Sequence, residues 1–165
     1  MVLKYGVIMA EVTKNNIKVL GIILIVLSVF GIISTILDFN QFNEMKDLSN
    51  RFGIDNSSYV SSHTILMILK LLLSVSVLVF SIFLIKYKKV GRLGLIISLV
   101  VAIFYILIAP LIPGDEVFRP QPIPYDSSSE NVALLISYIF YVAISAGIIF
   151  IIRYLNKKEI KQLLN

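Results

Sequence analysis

A short basic stretch separates two long apolar runs in the middle of this chain. Four cations lie within seven positions, at Lys86, Lys88, Lys89 and Arg92. Each flanking run is about twenty residues long, which is enough for a helix to cross a hydrocarbon core of about 30 Å. Short loops rich in Lys and Arg are typical of the cytoplasmic side of a membrane. The stretch 86–92 therefore predicts an inner loop, and its four cations determine the expected topology.

The remaining apolar residues predict the fold class. Hydrophobic residues make up 58% of the 165-residue chain, more than a soluble domain of this length can bury. They predict an all-α integral membrane protein, a single domain over 1–165 with four transmembrane helices. The expected spans are 17–37, 64–85, 93–112 and 132–152, with outer loops 38–62 and 113–131.

The charges of the other segments agree with this orientation. Basic residues outnumber acidic ones in the N-terminal segment and in the C-terminal tail, whereas acidic residues outnumber basic ones in 38–62 and in 113–131. Because cytoplasmic loops carry the excess of Lys and Arg, we expect both termini to be cytoplasmic. The net charge of +5 then indicates contact with anionic lipids on the inner side and no nucleic-acid partner.

The first outer loop carries an amphipathic pattern. Its apolar residues recur at about helical spacing and are followed by Gly53: Phe39, Phe42, Met45, Leu48 and Phe52. This spacing predicts a short amphipathic helix in the outer interface. A docking site for a periplasmic or extracellular partner is the alternative.

The second span contains a charged residue, Lys70, at the head of a polar face that continues through Ser74 and Ser81. In one interpretation, Lys70 extends towards the nearby outer interface and meets an acidic residue such as Asp38 or Asp126. In the other, this candidate polar intramembrane face marks a path for an anion or a proton, because ionisable groups inside a bilayer are costly and are often functional.

The third span begins with a stripe of small residues. Gly91, Gly94, Ser98 and Ala102 fall near one face and form a candidate helix-packing face. The first span has a similar stripe at Gly21, Ser28, Gly31 and Thr35. Small residues let helix backbones approach closely in lipid. Such stripes serve contacts within one chain as well as homodimer seams, and the sequence leaves both open.

The sequence contains few residues of the types that catalyse reactions. It has no cysteine, one histidine (His63) and no acidic residue within any expected span, and no nucleotide-binding or metalloprotease motif is present. We therefore expect no enzyme activity, no catalytic residues, no cofactor and no metal. The sequence favours an accessory or complex-forming membrane subunit, with a homo-oligomer or another membrane protein as partner. A small transporter, pore or membrane effector that uses the Lys70 face is the alternative.

Familiar four-span families are excluded by the residues that they require. The chain lacks the cysteine motifs of disulfide-generating membrane proteins, claudins and tetraspanins, and its first span lacks the glutamate of small multidrug transporters. Its richness in Ile, Leu, Lys and Asn, with the basic turn at 86–92, resembles small membrane proteins of bacteria and archaea. That resemblance implies the cytoplasmic membrane of a prokaryote and no particular activity.

Overall fold

The structure, a computed structural model, describes residues 2–53, 57–108 and 127–164, and every regular element within these ranges is helical. The elements follow one another along the chain as α1 (Val2–Phe52), α2 (Ser57–Ile85), α3 (Lys89–Ile108), α4 (Ser127–Leu155) and α5 (Lys158–Leu163). Helices α1 to α4 are long and apolar enough to cross a membrane. The end of the third expected span, 109–112, and most of the second outer loop lie outside the described residues.

Helix α1 is longer than the sequence analysis anticipated. It runs for 51 residues without a break, so it extends over about 75 Å, whereas a hydrocarbon core is about 30 Å thick. It ends where Gly53 adopts a positive φ of 68°, a conformation that glycine takes at little cost. The expected outer loop 38–62 is therefore helical up to Phe52 and again from Ser57.

The amphipathic segment of this loop differs from the prediction. It is helical, but it is the last part of α1 and not a separate short helix. Phe42 is buried, and its ring stacks on His63 at the start of α2, with centroids 5.2 Å apart. Because α2 begins at Ser57 and runs back along α1, a neighbouring helix covers the Phe42 side, while Phe39, Leu48 and Phe52 remain exposed.

The turn between α2 and α3 is shorter than the expected loop 86–92. Helix α3 begins at Lys89, so Lys89 to Arg92 belong to its first turn. Tyr87 has a φ of 53°, and the amides of Tyr87 and Lys88 donate to the carbonyls of Leu84 and Phe83 at 2.9 and 3.0 Å. These bonds satisfy the last carbonyls of α2 within three residues, which lets the chain reverse tightly. We call this end of the bundle the hairpin end.

Helices α1 and α2 pack along the small-residue stripe of α1. A Cβ atom placed on Gly31 would lie 2.7 Å from the Ser74 Oγ, and one on Gly21 would lie 2.5 Å from the Ile85 Cγ1. Ser28 and Thr35, on the same stripe, are buried, and their hydroxyls donate to carbonyls one turn earlier in α1. This stripe is thus occupied by a contact within the chain.

The hydrophobic core lies at the hairpin end and draws on all five helices. Its buried members are Ile17, Leu24, Leu84, Leu95, Leu155, Ile160 and Leu164. The short helix α5 takes part because the last residues of α4 turn back at 156–157 and direct Ile160 and Leu164 inward. Helix α4 is otherwise the least buried of the four long helices over its described part.

Candidate functional site

Lys70 is neutralised by an acidic residue on the neighbouring helix. Its Nζ lies 2.6 Å from the Asp38 Oδ2 and donates a second hydrogen bond to the Ser34 Oγ at 3.1 Å. Ser34 and Asp38 are four positions apart on α1 and therefore share the face that meets α2. The Lys70 side chain is 30% exposed and that of Asp38 is 45% exposed. The ammonium group thus meets an acidic residue, as in the structural interpretation of Lys70, but the pair lies in the middle of α2 and not at its end, because α2 begins at Ser57.

The serines of the Lys70 face are already hydrogen-bonded. Ser74 Oγ donates to the Lys70 carbonyl at 2.9 Å, and Ser81 Oγ donates to the Val77 carbonyl at 2.6 Å. Ser74 also lies against Gly31, and Ser81 is fully buried. Lys70, Ser74 and Ser81 thus all lie along the α1–α2 contact, where small polar side chains bond to their own helix and let α1 approach closely.

The predicted packing face of α3 lies against α2. Gly91, Gly94 and Ser98 are buried, and Ala102 is partly buried. A Cβ atom on Gly91 would meet the Leu84 amide nitrogen and would lie 2.6 Å from the Phe83 carbonyl carbon. A Cβ atom on Gly94 would overlap the ring of Phe80. The backbones of α2 and α3 are therefore in direct contact at Gly91, and this face is occupied within the chain.

Helix α4 carries a small-residue face that has no neighbour in the described structure. Ala143 and Gly147 are exposed and four positions apart, so they share one face with the exposed Phe140 and Phe150. No atom lies within 4 Å of a Cβ placed on Gly147. The opposite side of α4 faces the bundle through Ser145, Ile148, Ile152 and Leu155. The sequence analysis did not single out this face; the spacing of Ala143 and Gly147 was the available signal.

Arg92 differs from the three lysines with which it was grouped. Lys86, Lys88 and Lys89 are exposed, and their role in determining the topology stays a prediction. Arg92 is only 7% exposed, and its Nε and Nη1 are buried without a hydrogen-bond partner in the described structure. The cause is its position one turn before Leu95 on the buried side of α3, because α3 begins earlier than the sequence analysis expected. No sequence signal distinguished it from a loop cation.

A groove of about 240 Å³ lies between α1 and α4 near the hairpin end. Its lining is largely apolar and includes Leu20, Ile23 and Phe150, with Asn16 and Tyr154 as its polar members. Among the described residues, no group of three or more His, Asp or Glu side chains is placed to hold a metal ion. The groove is thus a largely apolar cleft between two helices.

The chain was compared with protein-family models, with curated proteins and with solved structures, and none of the three comparisons gave a match.

Proposed function

We propose that this protein is a non-catalytic, complex-forming subunit of a prokaryotic cytoplasmic membrane, and that it binds a helix of its partner through the exposed face of α4. In this proposal the hairpin end is cytoplasmic, together with both termini. The observation that carries the proposal is the open space at Gly147, beside Ala143, on the least buried of the long helices.

The glycines of the other long helices provide the comparison. Gly21 and Gly31 of α1 lie against α2, and Gly91 and Gly94 of α3 also lie against α2. At each of these positions a missing side chain lets two helices approach. Gly147 differs from these four glycines, because no atom of the described structure lies within 4 Å of a Cβ placed on it. A partner helix packed at this position would place Gly147 in a contact between two helices, as the other four glycines are.

Contact with lipid would account for the apolar side chains on this face of α4, but it does not call for small residues at Ala143 and Gly147. Association between helices in a bilayer depends on close packing, because lipid tails are as apolar as leucine side chains. The Ala143 and Gly147 pair has the spacing of the small-residue motif that permits such packing, and Phe140 and Phe150 border it. We infer that a partner helix crosses α4 at this point.

The test is co-purification from the native membrane in mild detergent. We expect wild-type protein to retain a stoichiometric partner chain and Gly147→Ile to lose it, because the larger side chain fills the depression between the two phenylalanines. The variant should unfold like the wild type, since no neighbour surrounds position 147. Gly94→Ile is the control for misfolding, because it places the same side chain against Phe80.

Photo-crosslinking gives an independent result. The chain has no cysteine, so Phe140→Cys and Val79→Cys each provide a single site for a thiol-linked photoreactive probe. Both native residues are exposed, one beside the α4 face and the other on α2. A crosslink to another chain from position 140 and not from 79 supports the proposal. Wild-type protein that purifies as a monomer, with equal lipid labelling from both sites, contradicts it.

The small transporter or pore remains the second proposal, through the Lys70 face. The Lys70–Asp38 pair supplies two ionisable groups in contact, which such a role would use. The bonded state of Ser74 and Ser81 favours the subunit instead, because both hydroxyls already donate to helix carbonyls.

A further inference from the structure

Arg92 presents a buried positive charge that the described protein does not neutralise. Arginine side chains carry a positive charge, and the Nε and Nη1 of Arg92 are enclosed by the protein without a hydrogen-bond partner among the described residues. Buried charges in proteins are almost always paired, because an unpaired charge outside water is very costly. Two of the three guanidinium nitrogens of Arg92 thus lack a partner among the described residues.

The surroundings of Arg92 are themselves cationic. Arg92 lies in the first turn of α3, where the helix dipole places a partial positive charge, while the Gly91 amide already donates to the Lys88 carbonyl at 2.9 Å. Side chains of a helix lean towards its N-terminus, which directs Arg92 towards the turn that carries Lys86, Lys88 and Lys89. The field at this end of α3 thus attracts anions.

The adjacent helices add further cations and no counter-charge for Arg92. From α1, Lys14 accepts a hydrogen bond at its carbonyl from the Tyr87 hydroxyl, and the Lys18 Nζ lies 6.0 Å from the centre of the Tyr87 ring. Among the described residues, the acidic side chains near this end are Glu11 and Glu159, both exposed, and neither pairs with Arg92.

We propose that Arg92 and the first turn of α3 form a binding site for one phosphate-class anion. The group has two possible sources, the phosphodiester of an anionic phospholipid and free inorganic phosphate. Phosphate oxygens accept charge-assisted hydrogen bonds from guanidinium N–H donors, and the free amides of a helix N-terminus complement the same charge. Lys86, Lys88 and Lys89 surround the site and increase the local concentration of anions.

The test uses the full-length protein, delipidated in a neutral detergent and titrated separately with dioleoylphosphatidylglycerol, dioleoylphosphatidylcholine and sodium phosphate. Bound lipid is counted by native mass spectrometry, and protection is measured as the shift of the unfolding temperature. We expect one tight equivalent of phosphatidylglycerol, and we expect Arg92→Gln to weaken it about tenfold or more, as for the loss of charge-assisted hydrogen bonds. Arg153→Gln is the matched control, because Arg153 is an exposed arginine near the end of α4.

The titrations separate the two sources. Saturable protection by phosphatidylglycerol, with little from sodium phosphate, assigns the site to a lipid head group. Protection by sodium phosphate alone assigns it to the free anion. Equal weakening by Arg92→Gln and Arg153→Gln overturns the proposal, since general surface charge would then explain the binding. The absence of any saturable ligand also overturns it.

A variant that fails to fold does not prevent a decision. Arg92→Lys keeps the charge and loses the guanidinium N–H donors, so we expect it to fold and to bind more weakly than the wild type. If no variant folds, the wild-type titration decides: one saturable equivalent of phosphatidylglycerol or phosphate, bound more tightly than phosphatidylcholine, supports the site. Graded, unsaturable binding of all three probes contradicts it.

Discussion

The close contact between α2 and α3 at Gly91 lets us predict how much stability the protein loses when one methyl group is added there. In Gly91→Ala the new Cβ would lie 2.6 Å from the Phe83 carbonyl carbon and 2.9 Å from the Phe80 carbonyl oxygen, whereas ordinary contact begins at 3.4 Å. These neighbours are backbone atoms, so no rotamer change relieves the overlap. The closest contact, to the Leu84 amide nitrogen, is shorter still, so the two helices must separate by about 1 Å, and a gap of that size forfeits a quarter to a half of the dispersion energy of the contacts it opens.

The expected cost follows from two opposing terms. Inserting a methyl group into a well-packed contact costs about 1–3 kcal/mol, and the backbone position of the clash favours the upper half of that range. Alanine gains at most about 1 kcal/mol over glycine here, because Gly91 lies in the first turn of α3 and not in its interior. We therefore expect Gly91→Ala to lower the free energy of unfolding by about 1–2 kcal/mol. Gly147→Ala makes the same chemical change where no atom lies within 4 Å, and it should be neutral or stabilising.

The assay is reversible unfolding of purified protein by titration with sodium dodecyl sulfate, followed by circular dichroism. Because Gly91 lies in the first turn of α3 and Gly147 in the interior of α4, the propensity term differs between them, and we expect the two alanine variants to differ by at least the steric cost of about 2–3 kcal/mol. The reasoning is refuted if Gly91→Ala is as stable as Gly147→Ala, because the helices would then have room that the structure does not show.

Two further predictions concern the Lys70–Asp38 pair and the hairpin end. Asp38→Asn and Lys70→Met should show a coupling energy of about 1 kcal/mol in a double-mutant cycle, since the pair is partly exposed; Asp47→Asn is the exposed control. If Lys70→Met instead abolishes ion flux in liposomes while its free energy of unfolding equals that of the wild type, the transport proposal is supported. The structural role of the pair would then be wrong. At the hairpin end, Ile160→Ala removes a fully buried side chain and should weaken the docking of α5 by about 2–4 kcal/mol, seen as faster hydrogen exchange over 158–164. Gln162→Ala, on the exposed side, should leave that exchange unchanged.

The sequence by itself determined the helices and their approximate number. Long apolar runs can satisfy their backbone groups in lipid only as helices or closed barrels, and helical spacing of small residues identified the faces of α1 and α3 that are packed. These are local properties, because a helix is closed by bonds between residues four positions apart. The sequence also offered Asp38 as one of several possible partners for Lys70.

Only the tertiary structure decided which of these faces meet and what they leave uncovered. A small-residue stripe has the same form in a contact within a chain and in a seam between chains, so Gly91 and Gly94 could be assigned to α2 only from the packing. The continuous α1 and the burial of Arg92 depend on where helices begin and end relative to their neighbours. The open face at Gly147 was not predicted for the same reason, since an unfilled surface is a property of the assembled bundle and not of any single helix.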